Sequence, residues 1–184
     1  MNDRKHKQQD AFFQNTPEYF QKFTGPVQHA ETLDLAALQH LDVAIIGSHQ
    51  NTIAQLHAIC AQANRVQVFQ IEPPFILPET EKGIHRLISH PILSKNRRLL
   101  SQRIKAILAI RFLESQVKDH WLCSQLMPNS AMQKKVFYKS DEFYQALQLD
   151  NCQLITWPIT KIEHQNIHTI DRQNHHADVI IQTF

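Results

Sequence analysis

Glycine is scarce in this chain: only three glycines, Gly25, Gly47 and Gly83, occur among its 184 residues. Average usage of about 7% would give roughly a dozen. A backbone that approaches the phosphates of a bound nucleotide usually needs glycine at each point of close approach. The scarcity therefore argues against a second glycine-rich, phosphate-binding loop elsewhere in the chain.

The chain also lacks paired cysteines, long apolar runs and a strong net charge. Its cysteines, Cys60, Cys123 and Cys152, form no C-x-x-C pattern, which favours a reducing compartment. No apolar run reaches the ~20 residues of a membrane span, and no signal-peptide pattern precedes the polar start. A net charge of +2 is too small to require a nucleic-acid partner. We therefore expect a cytoplasmic protein that binds neither membranes nor nucleic acids.

Length and composition predict a single domain, because 184 residues with 42% apolar and 20% charged residues are typical of one globular unit. Residues 1–28 have a polar start and a Gly25-Pro26 break, and are interpreted as an N-terminal extension or linker. Residues 29–184 are predicted to form the domain. From about 84 to 126 the apolar residues recur at helical spacing, which predicts a helical excursion.

The stretch Asp42–Gln70 predicts a strand, a tight turn, a helix and a second strand. Val43–Ile46 is a continuous apolar run, as expected for a parallel strand buried on both faces. It ends at Gly47. The helix that follows has apolar residues at helical spacing: Ile53, Leu56, Ile59, Cys60 and Ala63. Arg65–Gln70 then supplies the second strand.

The last third of the chain favours a short helix followed by strands. Ser140 is placed to cap a helix that runs through Leu149. Four short strands are predicted after it, at 153–156, 161–163, 167–170 and 179–181, with Asp171–Asn174 as a hairpin turn. The whole pattern predicts an α/β fold: a Rossmann-like three-layer parallel sheet with a C-terminal antiparallel hairpin and a helical insertion.

The turn after the first of these strands resembles a dinucleotide-binding fingerprint that has lost two glycines. In G-x-G-x-x-G/A the glycines permit the tight turn, the approach of the pyrophosphate and the packing of helix on strand, respectively. The corresponding residues here are Gly47, Ser48, His49, Gln50, Asn51 and Thr52. Only the first glycine is kept. The sequence therefore predicts a nucleotide-binding architecture with an altered phosphate loop.

Seven short motifs follow one another in a specific order along residues 20–184. They are Phe23–His29, Val43–Gly47, Val68–Pro78, Leu126–Pro128 followed by Lys134 and Lys135, Ser140–Leu147, Leu154–Ile159 and Asp178–Phe184. In this order they resemble the NADP-binding domain of flavin-dependent monooxygenases of the Baeyer–Villiger type. The resemblance implies NADP(H) at the glycine loop. It also implies a K-R pair, Lys134 and Lys135 here, that recognises phosphate and stabilises the flavin intermediate.

Members of that family begin with an FAD-binding domain, to which their chain returns after an A-T-G motif. This sequence shows no N-terminal flavin fold, and its last residues, Gln182, Thr183 and Phe184, lack the glycine of that motif. We therefore expect no FAD in this chain and no monooxygenation by the chain alone.

Three departures from the family pattern argue against NADP(H). The β-carbon and imidazole of His49 would occupy space that the pyrophosphate needs. The family's arginine for the 2′-phosphate is replaced by Ile71, and Glu72 beside it would repel the dianion. Lys135 replaces the arginine of the K-R pair and lacks its guanidinium fork. The candidate cofactor-binding residues are accordingly the six loop residues with Lys134 and Lys135.

Simpler interpretations exist for several polar residues. Ser48 and Asn51 can cap the helix, and Lys134 and Lys135 can be ordinary solvated side chains. The histidine pairs, His164 with His168 and His175 with His176, lack a further ligand at a characteristic spacing, so no metal site is predicted. No nucleophile elbow or carboxylate pair is recognisable, so no catalytic residue is predicted.

Three functions are consistent with these observations. The first is a vestigial or partner-binding module that does not catalyse alone. The second is an NADP(H)-binding subunit of an FAD-dependent oxidoreductase, and the third is a small-molecule or anion sensor that uses the same crevice. A protein partner or self-association is expected at the surface where a flavin domain would pack, since that surface would otherwise be exposed.

Overall fold

A computed structural model of the chain describes residues 22–79, 102–129, 131 and 135–183. These residues form the strands β1 (Val27–His29), β2 (Asp42–Ile46), β3 (Arg65–Phe69), β4 (Phe75–Leu77), β5 (Phe137–Lys139), β6 (Cys152–Ile155), β7 (Ile159–Glu163), β8 (Asn166–Thr169), β9 (Asn174–His176) and β10 (Val179–Gln182). Their α-helices are α1 (Gln50–Gln62), α2 (Gln102–Gln116), α3 (His120–Gln125) and α4 (Phe143–Ala146). Short 3-10 helices cover Ala30–Thr32 and Ala36–Leu38.

The central sheet consists of five parallel strands in the order β1-β10-β2-β3-β6. In its register Val43 lies between Val179 and Val66, so the carboxyl ends of the strands meet at one edge. Every residue of β2 and β3 after the first is buried. Such buried strands, apolar here except for Gln67 of β3, are typical of a parallel sheet covered on both faces. The predicted strand–helix–strand unit is confirmed.

Two different layers cover the faces of this sheet. On one face, Val43 and Ile45 pack with the buried side of α1, which includes Ile53, Leu56 and Ile59. On the other face, Ala44, Ile46 and Phe69 pack with the three antiparallel strands β7, β8 and β9. Ile162 and Ile167 of that small sheet are fully buried. The three-layer α/β architecture with a C-terminal antiparallel hairpin is therefore confirmed.

The small antiparallel sheet contains one strand more than the sequence predicted. The predicted hairpin turn, Asp171–Asn174, lies between β8 and β9, and Arg172 has a φ of 67° there. β9 consists of three polar residues, Asn174, His175 and His176, so strand propensity did not identify it. Its antiparallel pairing with β8 defines this segment as a strand.

The helical excursion predicted from about 84 to 126 falls partly on described residues. α2 and α3 lie within that range, and residues 80–101 lie outside the described residues. α2 packs with a two-stranded parallel sheet of β4 and β5, two strands that the sequence did not predict. Among the described helices, none has the length and apolar character needed to cross a bilayer.

A short helix follows Ser140, as predicted, but it ends early. The Ser140 hydroxyl oxygen accepts the backbone N–H groups of Glu142 and Phe143 at 3.3 and 3.0 Å. Phe143, Ala146 and Leu147 are buried and form the inward face of this segment. The α-helix α4 ends at Ala146 and not at Leu149, because turns take over from there.

The segment before β2 is part of the packed structure. Phe23 is buried between the two sheets, and its neighbours Lys22 and Thr24 form backbone hydrogen bonds with His164. A β-carbon on Gly25 would come within 2.4 Å of the Asp178 carbonyl oxygen, so the position requires glycine. β1 pairs with β10. The central sheet thus includes residues 27 and 28, which lie before the domain boundary predicted at residue 29.

Candidate functional site

The altered glycine loop lies at the carboxyl edge of the central sheet. Gly47 directly follows β2, and its N–H donates to the carbonyl oxygen of Phe69 at 3.0 Å. Its φ of 92° is the left-handed conformation that favours glycine. Open α/β sheets bind their ligands outside the carboxyl ends of the strands. The loop and the amino end of α1 therefore form the candidate ligand site.

The amino end of α1 is capped by side chains of the loop itself. Nδ1 of His49 accepts the backbone N–H of Asn51 at 3.2 Å, and Oγ1 of Thr52 accepts the N–H of His49 at 3.3 Å. The Thr52 hydroxyl donates to the His49 carbonyl at 3.0 Å. These bonds form a reciprocal capping box. The groups that a phosphate would use at a helix amino end are therefore partly satisfied within the protein.

Two further loop side chains reach across the crevice to other segments. Gln50 Nε2 donates to the Lys139 carbonyl oxygen at 2.8 Å, and the Lys139 N–H donates to Gln50 Oε1 at 3.0 Å. Asn51 Nδ2 donates to the carbonyl oxygen of Ala30 at 3.1 Å. These contacts connect the first turn of α1 to β5 on one side and to the segment after β1 on the other.

Ser48 is held by two partners that sequence analysis did not identify. Gln70 Nε2 donates to Ser48 Oγ at 2.9 Å, and the Tyr138 hydroxyl donates to the Ser48 carbonyl at 3.0 Å. Burial raises the pKa of Tyr138 above its ordinary value, so the phenol remains protonated and able to donate. Gln70 itself is buried, and its Oε1 has no hydrogen-bond partner within the described part of the chain.

The described residues beneath the loop enclose a small cavity. A cavity of about 10 Å³ lies behind Gly47 and Ser48, lined further by Thr52, Gln70 and Phe143. This volume is about the smallest that can hold one water molecule. Among the described residues, this cavity behind the loop therefore has room for no more than one water molecule.

The structure brings together the six loop residues that the sequence predicted, from Gly47 to Thr52, around the start of α1. Lys134 lies outside the described residues. Lys135 lies two residues before β5, the strand that supplies Tyr138 and Lys139 to the loop. Whether any of these residues binds a cofactor remains a prediction. At the position expected for the 2′-phosphate, Ile71 is 60% exposed and Glu72 is also exposed.

A second polar cluster lies at the opposite edge, where β2, β3 and β10 begin. Ligand atoms of Asp42, His176 and Asp178 lie within 4.8 Å of one another, a grouping that could hold a metal ion. Asp42, however, already bonds to Arg65 at 2.6 Å and to the Asn64 amide at 2.7 Å. Asp178 accepts the backbone N–H of Asp42 at 2.9 Å. We interpret the cluster as a network of ion pairs and hydrogen bonds that fixes the first residues of β2 and β3 and the residue before β10.

A row of polar groups lies between the two sheets. The Thr169 hydroxyl donates to the Asp171 carboxylate, and Nε2 of His175 lies 3.3 Å from the same hydroxyl oxygen. Gln67 Nε2 lies 3.4 Å from Nδ1 of His175. Burial lowers the pKa of His175, and the charge of Arg65 adds to this effect against the opposing influence of Asp171. Because the Thr169 hydroxyl donates its hydrogen to Asp171, it does not donate to His175, so the row lacks the hydroxyl-to-imidazole hydrogen bond of a histidine-activated nucleophile.

The geometry defines a Rossmann-like α/β domain in which side chains of the altered glycine loop cap the following helix. No protein-family model matches the chain. It is 26% identical over 203 aligned residues to the FAD-binding monooxygenase ktnD of Aspergillus niger, covering 92% of this chain and 33% of that protein. It is also 26% identical over 195 residues to a Baeyer-Villiger monooxygenase of Pseudomonas aeruginosa, covering 91% of this chain and 37% of that protein.

A solved structure supports the same relationship at the level of the fold. The crystal structure of OTEMO in complex with FAD and NADP matches with a TM-score of 0.69 and 16% identity, over 92% of this chain and 44% of that chain. The chain thus spans about a third of the length of the curated relatives it matches. The resemblance to flavin-dependent monooxygenases of the Baeyer–Villiger type, inferred from the seven motifs, is confirmed.

Proposed function

We propose that this chain is a flavin-monooxygenase-like module whose glycine loop does not bind NADP(H), and that it does not catalyse by itself. The observation that carries the proposal is the capping box of α1. A bound pyrophosphate accepts hydrogen bonds from backbone N–H groups at a helix amino end. Here the N–H groups of His49 and Asn51 already donate to Thr52 and His49.

Binding of a pyrophosphate would require three changes at this site. The His49 imidazole would have to leave Asn51, and Thr52 would have to release the His49 N–H. The hydrogen bonds between Gln50 and Lys139 hold the first turn of α1 to β5, and we expect them to open as well. Each such bond stabilises the closed form by roughly 0.5–1.5 kcal/mol.

The residues after β3 add to this argument. An NADP 2′-phosphate is normally held by an arginine, whose fork matches phosphate geometry. In this chain Ile71 and Glu72 follow β3, and both are exposed. Glu72 would repel the dianion, so specificity for NADP over NAD has no support here.

Thermal unfolding with millimolar NADPH, NADP, NADH or FAD tests the proposal. A ligand at about 100 times its dissociation constant stabilises the folded state by about 2.7 kcal/mol, several degrees in a domain of this size. We expect no shift for the wild-type chain. A shift with NADPH alone would overturn the proposal and establish the alternative, an NADP(H)-binding subunit of an FAD-dependent oxidoreductase.

Two variants test whether the capping box is the reason that the wild-type chain shows no thermal shift. His49→Gly with Thr52→Ala rebuilds the G-x-G-x-x-A fingerprint, and we expect this variant to gain a shift with NADH or NADPH. His57→Ala on the exposed side of α1 is the matched control and should gain none. If the rebuilt loop also binds nothing, the capping box is not what blocks the site. A shift with inorganic phosphate alone would instead favour the anion-sensor function.

A second candidate function, docking to a flavin-binding protein, is favoured by three exposed apolar side chains that follow strands of the two sheets. Ile71 follows β3, Trp157 follows β6 and Ile170 follows β8, and they are 60%, 54% and 59% exposed. The Ile170 N–H donates to the carbonyl oxygen of Pro158, and this bond connects the end of β8 to the segment after β6. Exposed apolar patches often mark interaction sites.

We take the partner to be an FAD-binding domain, because the relatives are FAD-binding monooxygenases much longer than the matched region. Co-expression with flavoproteins encoded beside this chain should yield a complex with flavin absorbance. Trp157→Lys should abolish that complex, whereas Trp121→Lys, at a 74% exposed tryptophan on α3, should leave it intact. A colourless chain that self-associates through Trp157 in sedimentation velocity would overturn the flavin partner in favour of self-association.

A further inference from the structure

Two of the three cysteines meet where α1 ends and β6 begins. Cys60 lies in the last turn of α1 and is 4% exposed in the core on that side of the sheet. Cys152 is the first residue of β6, an edge strand of the central sheet, and it packs against the same core while partly exposed. The two residues are far apart in sequence, so only the fold brings them together.

The backbone around the two cysteines is fixed by Asn151, the residue that precedes Cys152. Asn151 Nδ2 donates to the carbonyl oxygens of Cys60 at 2.8 Å and Ala63 at 3.3 Å. The Asn151 carbonyl oxygen accepts the N–H of Val66 at 2.7 Å. The residue next to Cys152 is therefore bonded to Cys60 itself and to β3, which holds the two cysteines in a constant relative position.

The two thiols lie at the same core and affect each other's ionisation. Hydrogen bonding with Cys152 lowers the pKa of Cys60, against the opposing effect of burial. The same interaction, together with burial, raises the pKa of Cys152. Cys60 is thus the sulfur that more readily carries negative charge. The thiolate is the reactive form in thiol–disulfide chemistry, so Cys60 is the expected nucleophile and Cys152 is its neighbour in the core.

The third cysteine provides an internal comparison. Cys123 lies on α3, and burial together with the nearby Glu114 carboxylate raises its pKa. It has no thiol partner among the described residues. Its chemistry should therefore differ from that of the pair, although all three cysteines are free in the structure.

We propose that Cys60 and Cys152 are a redox modification site, at which hydrogen peroxide produces a reversible disulfide between α1 and β6. One thiol is first oxidised to a sulfenic acid while the peroxide O–O bond breaks and one water leaves. The second sulfur then displaces the sulfenic hydroxyl as a second water, and the S–S bond forms. In total two thiols lose two electrons and two protons, and one peroxide is reduced to two waters. A dithiol such as dithiothreitol reverses the step by exchange.

The bond would close a large loop of the chain. The loop includes the site strand β5 with Tyr138 and Lys139, and its closure joins the end of α1 to an edge strand. A disulfide that closes a loop of roughly 100 residues restricts the unfolded chain strongly. We expect the melting temperature of the oxidised protein to be higher by about 10 °C.

Thiol counting after oxidation tests the inference. The full chain is treated with hydrogen peroxide, denatured and labelled with a maleimide polymer, and its peptides are mapped without reductant. We expect one labelled cysteine of three, Cys123, a peptide linking Cys60 to Cys152, and three labelled cysteines after dithiothreitol. Three labelled cysteines after oxidation, or a link that includes Cys123, would overturn the inference.

Two variants separate the disulfide from general oxidation. Cys123→Ser should still form the link and gain the same rise in melting temperature. Cys152→Ser should keep Cys60 available for labelling and show no rise. If Cys152→Ser fails to fold, the peptide map of the wild-type chain still decides the matter. A rise in melting temperature that dithiothreitol does not reverse would contradict the disulfide.

Discussion

Gln50 and Lys139 form a reciprocal pair of hydrogen bonds between the first residue of α1 and the end of β5. The side-chain amide donates to the Lys139 carbonyl at 2.8 Å and accepts the Lys139 N–H at 3.0 Å. The N–H and carbonyl groups of Lys139 are thus both hydrogen-bonded to one glutamine side chain. The pair attaches the small β4–β5 sheet to the helix that carries the altered glycine loop.

Replacing this glutamine should loosen that attachment. We expect Gln50→Ala to lower the free energy of unfolding by about 1 kcal/mol, since two partly exposed hydrogen bonds are lost and water can replace them. Gln62→Ala, at the exposed other end of the same helix, is the control and should change it by less than about 0.5 kcal/mol. Urea unfolding measures both. Equal effects of the two substitutions would show that the pair does not stabilise the fold.

The helix cap of His49 gives a second prediction. His49→Ala removes the side-chain acceptor for the Asn51 N–H, and loss of such a cap costs about 0.5–2 kcal/mol. His49→Asn should recover most of that loss, because asparagine is among the best residues at this position. Urea unfolding of the two variants beside the wild-type chain is the measurement. If alanine and asparagine are equivalent, the imidazole does not act as the cap.

The central strand–helix–strand unit could be predicted from the sequence because its signals are local. The apolar run Val43–Ile46 and the helical spacing from Ile53 to Ala63 each lie within a few residues. β1, β4 and β5 were missed, since short strands of three residues acquire their character from a pairing partner far along the chain. β4 pairs with β5 across about sixty residues, which no local pattern reveals.

The candidate site was likewise predicted only where its sequence signal is local. The loop residues Gly47–Thr52 were located correctly, because a strand that ends in glycine before a helix is a local signal. The side chains that close the loop were not found. Gln70 is 22 residues from Ser48, and Tyr138 is 90 residues from it. The only available signal was the polar residue after β3, whose partner could not be inferred from the sequence.

The inner face of the small antiparallel sheet should be a major source of stability. Ile167 is fully buried against the central sheet, so Ile167→Ala removes apolar contacts and leaves a cavity. We expect a loss of about 2–5 kcal/mol in the free energy of unfolding. Ile170→Ala is the matched control on the exposed side, with an expected change below about 0.5 kcal/mol. A small effect at Ile167 would mean that the third layer can detach without unfolding the domain.

The histidine between the sheets predicts a pH dependence of stability. Burial lowers the pKa of His175 in the folded state, so the unfolded chain, with an ordinary value of about 6.5, binds this proton more tightly. Stability is therefore unaffected by His175 well above that value. It falls as the pH drops through about 6.5 toward the lower folded pKa, where the loss levels off.

A single substitution isolates this contribution from the other eleven histidines. His175→Gln keeps a polar side chain beside Gln67 and Thr169 but cannot titrate. We expect urea unfolding near neutral pH to show the larger stability for the wild-type chain, and this advantage to shrink as the pH is lowered toward about 5.5. Because the remaining histidines are common to both proteins, their titration cancels in the difference. A constant difference across that range would show that His175 titrates alike in the folded and unfolded chain.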